Sequence, residues 1–228
     1  MKRLLIVLLT LICAFSVIGC GETEPKPVTD EYASHKQVLA LCNSYSAIGT
    51  NGYDYTLEQK SGETIVNAHT VSLRLDNTNG TIGSRFEHKK ELNEDISKGQ
   101  YTETEATAYY KDNKIATYSA EAWTWKDCTL EEFVSVDIKS FAFDIDSVSS
   151  AELSTEGEFT TLSFKIEDAK AAEFLEITGD IKDLSFVIKT DSAITTFVSL
   201  TMSYSQSLTT TCFSFMPYSG GVNIDIPE

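Results

Sequence analysis

The residues able to do chemistry in this 228-residue chain are few and scattered. His35, His69 and His88 could ligate a metal or move a proton, but no two of them stand at helical ligand spacing. Surface or hydrogen-bonded roles are therefore expected, although His69 and His88 could become cross-strand neighbours about a turn at Asn79-Gly80. Cys42, Cys128 and Cys212 are too far apart for a local metal knuckle. They allow at most one disulfide, Cys42 to Cys212 or Cys128 to Cys212, and the plain alternative is three small buried apolar side chains. Paired acids occur at Glu103/Glu105, Glu131-Glu132 and Asp144/Asp146. None belongs to a twelve-residue, glycine-containing calcium loop, and in so acidic a chain chance pairs are expected everywhere. No nucleophile, base and orienting group can be named together, so the expectation is a protein that is not an enzyme, with no catalytic residue, metal site or cofactor.

The remaining reactive residue lies near the N-terminus. Met1-Lys2-Arg3 is basic, and Leu4 to Ile18 follows without a charge, with Thr10 and Ser16 as its only hydroxyls. That is the layout of an export signal. The run is short beside the roughly 20 apolar residues a spanning helix needs. Val17-Ile18-Gly19-Cys20 resembles the lipobox of bacterial lipoproteins, in which the cysteine is thioether-linked to diacylglycerol and becomes the first mature residue. Two or three acyl chains, at about 0.8 kcal/mol per buried methylene, would then hold the protein to a membrane through Cys20. The expected organisation is a lipoprotein signal peptide over 1–19, a lipidated cysteine and tether over 20–29, and a single domain over 30–228. The location would be the cell-surface or periplasmic face of a bacterial membrane.

Charge restricts the partners. Eighteen basic residues face 34 acidic ones, a net charge of -16, and removal of residues 1–19 takes away two bases and no acid. Such a surface repels phosphate backbones, so nucleic acid is excluded as a partner. With 42% hydrophobic residues the chain is too apolar to be disordered. A monomer is expected.

The elements that must position any site are mostly strands. No proline occurs between Pro27 and Pro217, and Thr, Ser, Tyr, Phe, Val and Ile dominate that stretch, as a large hydrogen-bonded sheet requires. Strands are predicted over 53–59, 63–75, 85–92, 100–110, 115–125, 159–166, 184–189, 194–204, 210–215 and 222–226. Helices are predicted over Asp30 to Cys42, from the capping box at Thr129-Leu130-Glu131-Glu132, and over Glu167 to Ile177 with Gly179 as its C-cap. About ten or eleven strands joined by tight turns tend to curl or close.

Along one hairpin lie Tyr101, Tyr109, Tyr110, Tyr118, Trp123 and Trp125, and alternation puts Tyr101 and Tyr109 on one face with Tyr110 opposite. Such rings could line a groove or pack under a helix. With Phe133, Phe141 and Phe143 they are the candidate groove residues.

The order of elements, the Tyr109-Tyr110-Lys111-Asp112-Asn113-Lys114 hairpin and the ending Pro217-Tyr218-Ser219-Gly220-Gly221-Val222-Asn223-Ile224-Asp225-Ile226-Pro227 together resemble the LolA/LolB-like superfamily of envelope lipoproteins and lipoprotein carriers. The resemblance implies a mainly β fold, a curved antiparallel half-barrel with helices on its concave side. It also implies an apolar groove for a lipid or another lipoprotein's acyl chains. The rival expectation is a surface interaction module that binds a protein or glycan and holds no internal ligand.

Overall fold

A computed structural model of the chain describes residues 32–93, 100–135, 143 and 150–227. The unit Ser34–Glu228 carries all the strands, while of the unit Met1–Ala33 only Tyr32 and Ala33 fall among the described residues. The elements run α1 (Ala33–Asn43), β1 (Gly52–Ser61), β2 (Thr64–Asp76), β3 (Ile82–Leu92), β4 (Tyr101–Lys111), β5 (Lys114–Ser119), β6 (Ala122–Asp127), α2 (Leu130–Val134), β7 (Ser150–Glu156), β8 (Phe159–Lys165), α3 (Asp168–Leu175), β9 (Ile181–Asp191), β10 (Phe197–Gln206) and β11 (Thr209–Pro217).

The fold is mainly β: eleven strands form one open sheet in the order β6-β5-β4-β3-β2-β1-β11-β10-β9-β8-β7, with every pairing antiparallel. Each wing is a meander, and β1 joins β11 at the centre. Among the described residues β6 and β7 are the free edges.

Residues directly opposite each other across antiparallel strands share a face, so the register sorts the side chains. Tyr53 and Tyr55 of β1 face Leu73 and Val71 of β2, and Tyr55 faces Phe215 of β11. From Phe215 the same face continues through Leu200, Ile188 and Leu162. On the other wing it continues from Leu75 through Gly83 to Tyr110. This inner face is buried, and the helices contribute Val38, Leu39, Phe133, Ala171 and Leu175 to the same core. The outer face presents hydroxyls instead, among them Thr56, Ser72, Thr201, Ser214 and Ser185.

Several local features depart from the sequence expectation for physical reasons. The strand predicted over 115–125 is two strands, because Ala120 and Glu121 take left-handed conformations (φ 50° and 64°) and make a two-residue hairpin turn. Neither residue is a usual turn former. Helix α3 ends at Glu176, itself left-handed, whose N–H donates to Ala172 O and Glu173 O; the predicted cap, Gly179, lies beyond it. The stretch 222–226 forms no strand. Both edges of β1 are already taken, by β2 and β11, so the tail leaving β11 has no strand edge beside it. In its place Tyr218 N–H donates to Gly52 O, and Asn51 donates to Gly220 O. Strand β7, Ser150–Glu156, was not predicted; five of its seven residues are Ser, Thr or Glu, which suits an edge. His69 and His88 are one register step apart, with His69 opposite Lys89 and Thr70 opposite His88, so the two imidazoles lie on opposite faces.

One irregularity ties a helix to the sheet. β9 carries one residue more than β10 between Lys182 and Ser185, with Asp183 left-handed at φ 54°. The bulge lets Ile181 and Leu184, three residues apart, both reach the core. Asp183 N–H donates to the side chain of Asp168, the first residue of α3, at 3.0 Å.

Candidate functional site

Three aromatic groups line the inner face. Near the centre, Tyr45 meets Phe215 and Phe197 with centroids 5.2 and 5.3 Å away, and Tyr53 and Tyr55 meet Phe215 and Phe213. Under α3, Phe143, Phe164, Phe174 and Phe186 pack mutually, with Phe164 and Phe186 stacked at 5.1 Å. The Phe143 peptide is held at both ends by one side chain of α1: Asn43 donates to Phe143 O at 2.9 Å and accepts from Phe143 N–H at 3.0 Å.

The third group seats α2. Phe133 is fully buried and stacks on Tyr110 at 5.2 Å. A short helix ends in carbonyls that need donors. Arg85 donates to Phe133 O at 2.8 Å and the Tyr53 hydroxyl donates to Val134 O at 2.9 Å. Burial pushes the Tyr53 hydroxyl well above the ordinary tyrosine range, so it remains a neutral donor. At the other end Thr129 and Glu132 form the reciprocal capping box that their spacing predicts.

The eight groove candidates among the described residues divide between two faces. Tyr110, Phe133 and Phe143 are buried in the inner core. Tyr109, Tyr118, Trp123 and Trp125 are on the outer face around Ala116, since Tyr109 and Trp125 both pair with Ala116 and Tyr118 pairs with Trp123. Tyr101 is on the outer face too, with Lys90 Nζ 4.1 Å above its ring. Phe141 and the lipidation candidate Cys20 lie outside the described residues, as do Asp144 and Asp146. Sequence reading concentrated on the β4–β6 hairpins and passed over Tyr45, Tyr53, Tyr55, Phe186, Phe213 and Phe215. Their signal was present as alternation, in Tyr53-x-Tyr55 and Phe213-x-Phe215.

The polar groups of the sheet are mostly neutralised locally. Glu103 sits between Lys90 at 2.9 Å and His88 at 3.4 Å, and these hold its carboxyl below the usual range. Arg74 forks onto Asp54 and lies 3.8 Å over the Tyr218 ring. Cys42, Cys128 and Cys212 are free thiols. Burial pushes the Cys42 thiol up to about 12. Among the described residues no three His, Cys, Asp or Glu side chains are placed to hold a metal ion.

On the outer face the sheet forms a depression of about 440 Å³ lined by Thr56, Glu58, Ser185, Thr201, Ser203 and Cys212 among others. The Ser185 and Ser203 hydroxyls are 2.9 Å apart within it.

Fold and site together define a non-closed antiparallel sheet with one aromatic face under short helices and one hydroxyl face open to solvent. Similar solved structures include LprF from Mycobacterium bovis, at 11% identity and TM-score 0.42, and the lipoprotein LppX from Mycobacterium tuberculosis, at 10% identity and TM-score 0.38. Each likeness covers 85% of this chain and 97% of the other. The hypothetical protein CT021 from Chlamydia trachomatis is similar over 84% of this chain and 97% of its own, at 7% identity and TM-score 0.26. LppX is by its name a lipoprotein. No protein-family model and no curated protein matches the sequence. Among the described residues no helix is long and apolar enough to cross a membrane.

Proposed function

We propose that the protein is a non-enzymatic envelope lipoprotein, anchored through acyl chains on Cys20, that holds a lipid or other hydrophobic ligand against the inner face of its sheet. The observation that carries this reading is the inner face itself: aromatic and aliphatic side chains run without interruption from Tyr110 through Tyr53 and Phe215 to Phe164, and the described cover over them is three short helices. Apolar surface buried there contributes about 25 cal/mol per Å². Polar bonds from Arg85 and Tyr53 to α2, from Gln37 of α1 to Ile194 O and from Asp168 to the β9 bulge hold the helices, so displacing one exchanges these bonds and the buried packing of residues such as Phe133 for ligand surface.

The test is native mass spectrometry of the Cys20→Ser chain purified from its own host, with extraction of whatever co-purifies. A stoichiometric noncovalent lipid that survives gel filtration is expected. A clean apo mass, with no uptake when lipids are offered, would sink the reading. A second reading, a surface module that binds a protein or glycan, draws on a different observation: the Tyr109, Tyr118, Trp123 and Trp125 cluster stands on the outer face, away from the helices.

A further inference from the structure

The chain has only two tryptophans, Trp123 and Trp125, and both stand on the outer face of the edge strand β6. Beside them on the same face are Tyr109 and Tyr118, and no described element covers the group. Tyr118 is 58% exposed and Trp125 38%. An apolar patch made only for core packing would be filled with Leu, Ile and Phe; Trp and Tyr carry an apolar body with a polar tip, the combination that suits a boundary between water and hydrocarbon. We infer that this patch seats the domain on the surface of the bilayer that holds its anchor, with the indole and phenol rings at headgroup level. The inference rests on the lipid-anchored reading of Cys20.

Two observations favour a bilayer over a glycan as the occupant. The rings do not offer parallel faces. Trp123 meets Tyr109 edge-on at 70° and Tyr118 at 56°, with centroids 5.2 and 5.3 Å away, so the three rings form no shared flat platform of the kind on which a sugar stacks. The anchor also permits it: Cys20 precedes Tyr32 by twelve residues, a length that reaches at most about 40 Å. An edge strand with both tryptophans can therefore lie on the membrane from which the chain hangs.

Because both tryptophans lie in the patch, tryptophan emission excited selectively over tyrosine reports on it alone. The lipidated full chain would be reconstituted into phosphatidylcholine vesicles, with and without bromine on the upper acyl chain. Blue-shifted emission is expected, with about half of it quenched by the brominated lipid and iodide access reduced severalfold. Tyr118→Asp should reverse these changes by at least about twofold, since it puts a charge among the interfacial rings. Tyr118→Ser, at an exposed position, checks the direction without adding charge.

Flotation with the vesicles separately reports anchoring. If the chain does not float, a hexahistidine segment in place of residues 1–20, bound to a nickel-chelating lipid, supplies the attachment, and the same quenching is read. Emission and iodide access unchanged on vesicles would overturn the inference. So would emission that shifts on addition of a soluble β-linked glucosamine oligosaccharide but not on vesicles, which would assign the patch to a glycan.

Discussion

Gly83 shows how closely the inner face is fitted. It sits on β3 opposite Tyr110, and a Cβ built there would run into the ring of Phe133. The absence of a side chain is what lets α2 press its phenylalanine flat against the sheet. Gly83→Ala should lower stability by about 1–3 kcal/mol, read by urea unfolding, because the ring must move out of a packed core. Cys42 is informative in another way. Its thiol is held neutral up to about 12 by burial, so alkylation by iodoacetamide at pH 8.5 should be slow in the folded protein and fast in urea. The folded state keeps a proton that the unfolded state releases near pH 9, so stability falls as pH rises between about 9 and 12. Alkaline unfolding should shift upward in the Cys42→Ala chain, with the transition followed by fluorescence. The division of the aromatic candidates also belongs to this scale. That Tyr109 and Tyr110 oppose each other was legible, since strand alternation has no alternative. Which of the two faces would receive the helices was not, because that is decided by registers far along the chain, such as Tyr53 with Leu73 and Phe215 with Leu200.

At the scale of elements, legibility follows how local the deciding interaction is. The capping box of α2 spans four residues, and its two bonds, Thr129 N–H to Glu132 at 2.7 Å and Glu132 N–H to the Thr129 hydroxyl at 3.2 Å, form as their spacing predicts. Thr129→Ala should cost about 1 kcal/mol of stability in chemical denaturation, and Thr129→Ser should restore most of it. The Asp112-Asn113 turn was legible for the same reason, both residues being common at positive φ. The Ala120-Glu121 turn was not, because its conformation is imposed by the pairing of Ser119 with Ala122 and of Tyr118 with Trp123 on either side. Strand β7 was hidden by its polarity: Ser150, Glu152, Ser154 and Glu156 face outward at an edge, and only Ala151 and Leu153 reach the core. The final segment failed in the opposite sense. Its alternation of Val222, Ile224 and Ile226 is that of a strand, but a strand needs a vacant edge, and among the described strands those belong to β6 and β7.

For the whole molecule, the sheet class was readable from proline-free length and turn spacing, whereas the site was not, since the inner face is assembled from both halves of the chain. Membrane attachment is the property most directly tested at this scale. Cys20→Ser should remove the diacylglycerol mass from the intact protein and shift it from the membrane to the aqueous fraction on sedimentation, with the fold unchanged by circular dichroism.

The strand order also has a temporal side. Nine of the ten strand pairings join strands adjacent in sequence; the exception is β1 with β11, where Tyr53 and Pro217, opposite each other, are roughly 160 residues apart in the chain. During synthesis β1 to β6 can zip as successive hairpins, but the far side of β1 has to wait for the last strand to emerge. For that interval the middle of the future sheet is an unsatisfied edge bearing Tyr53, Tyr55 and Leu57, the kind of edge that other chains add to. Whatever attends the chain on its way to its destination has that strand to shield until the final nine-residue strand arrives.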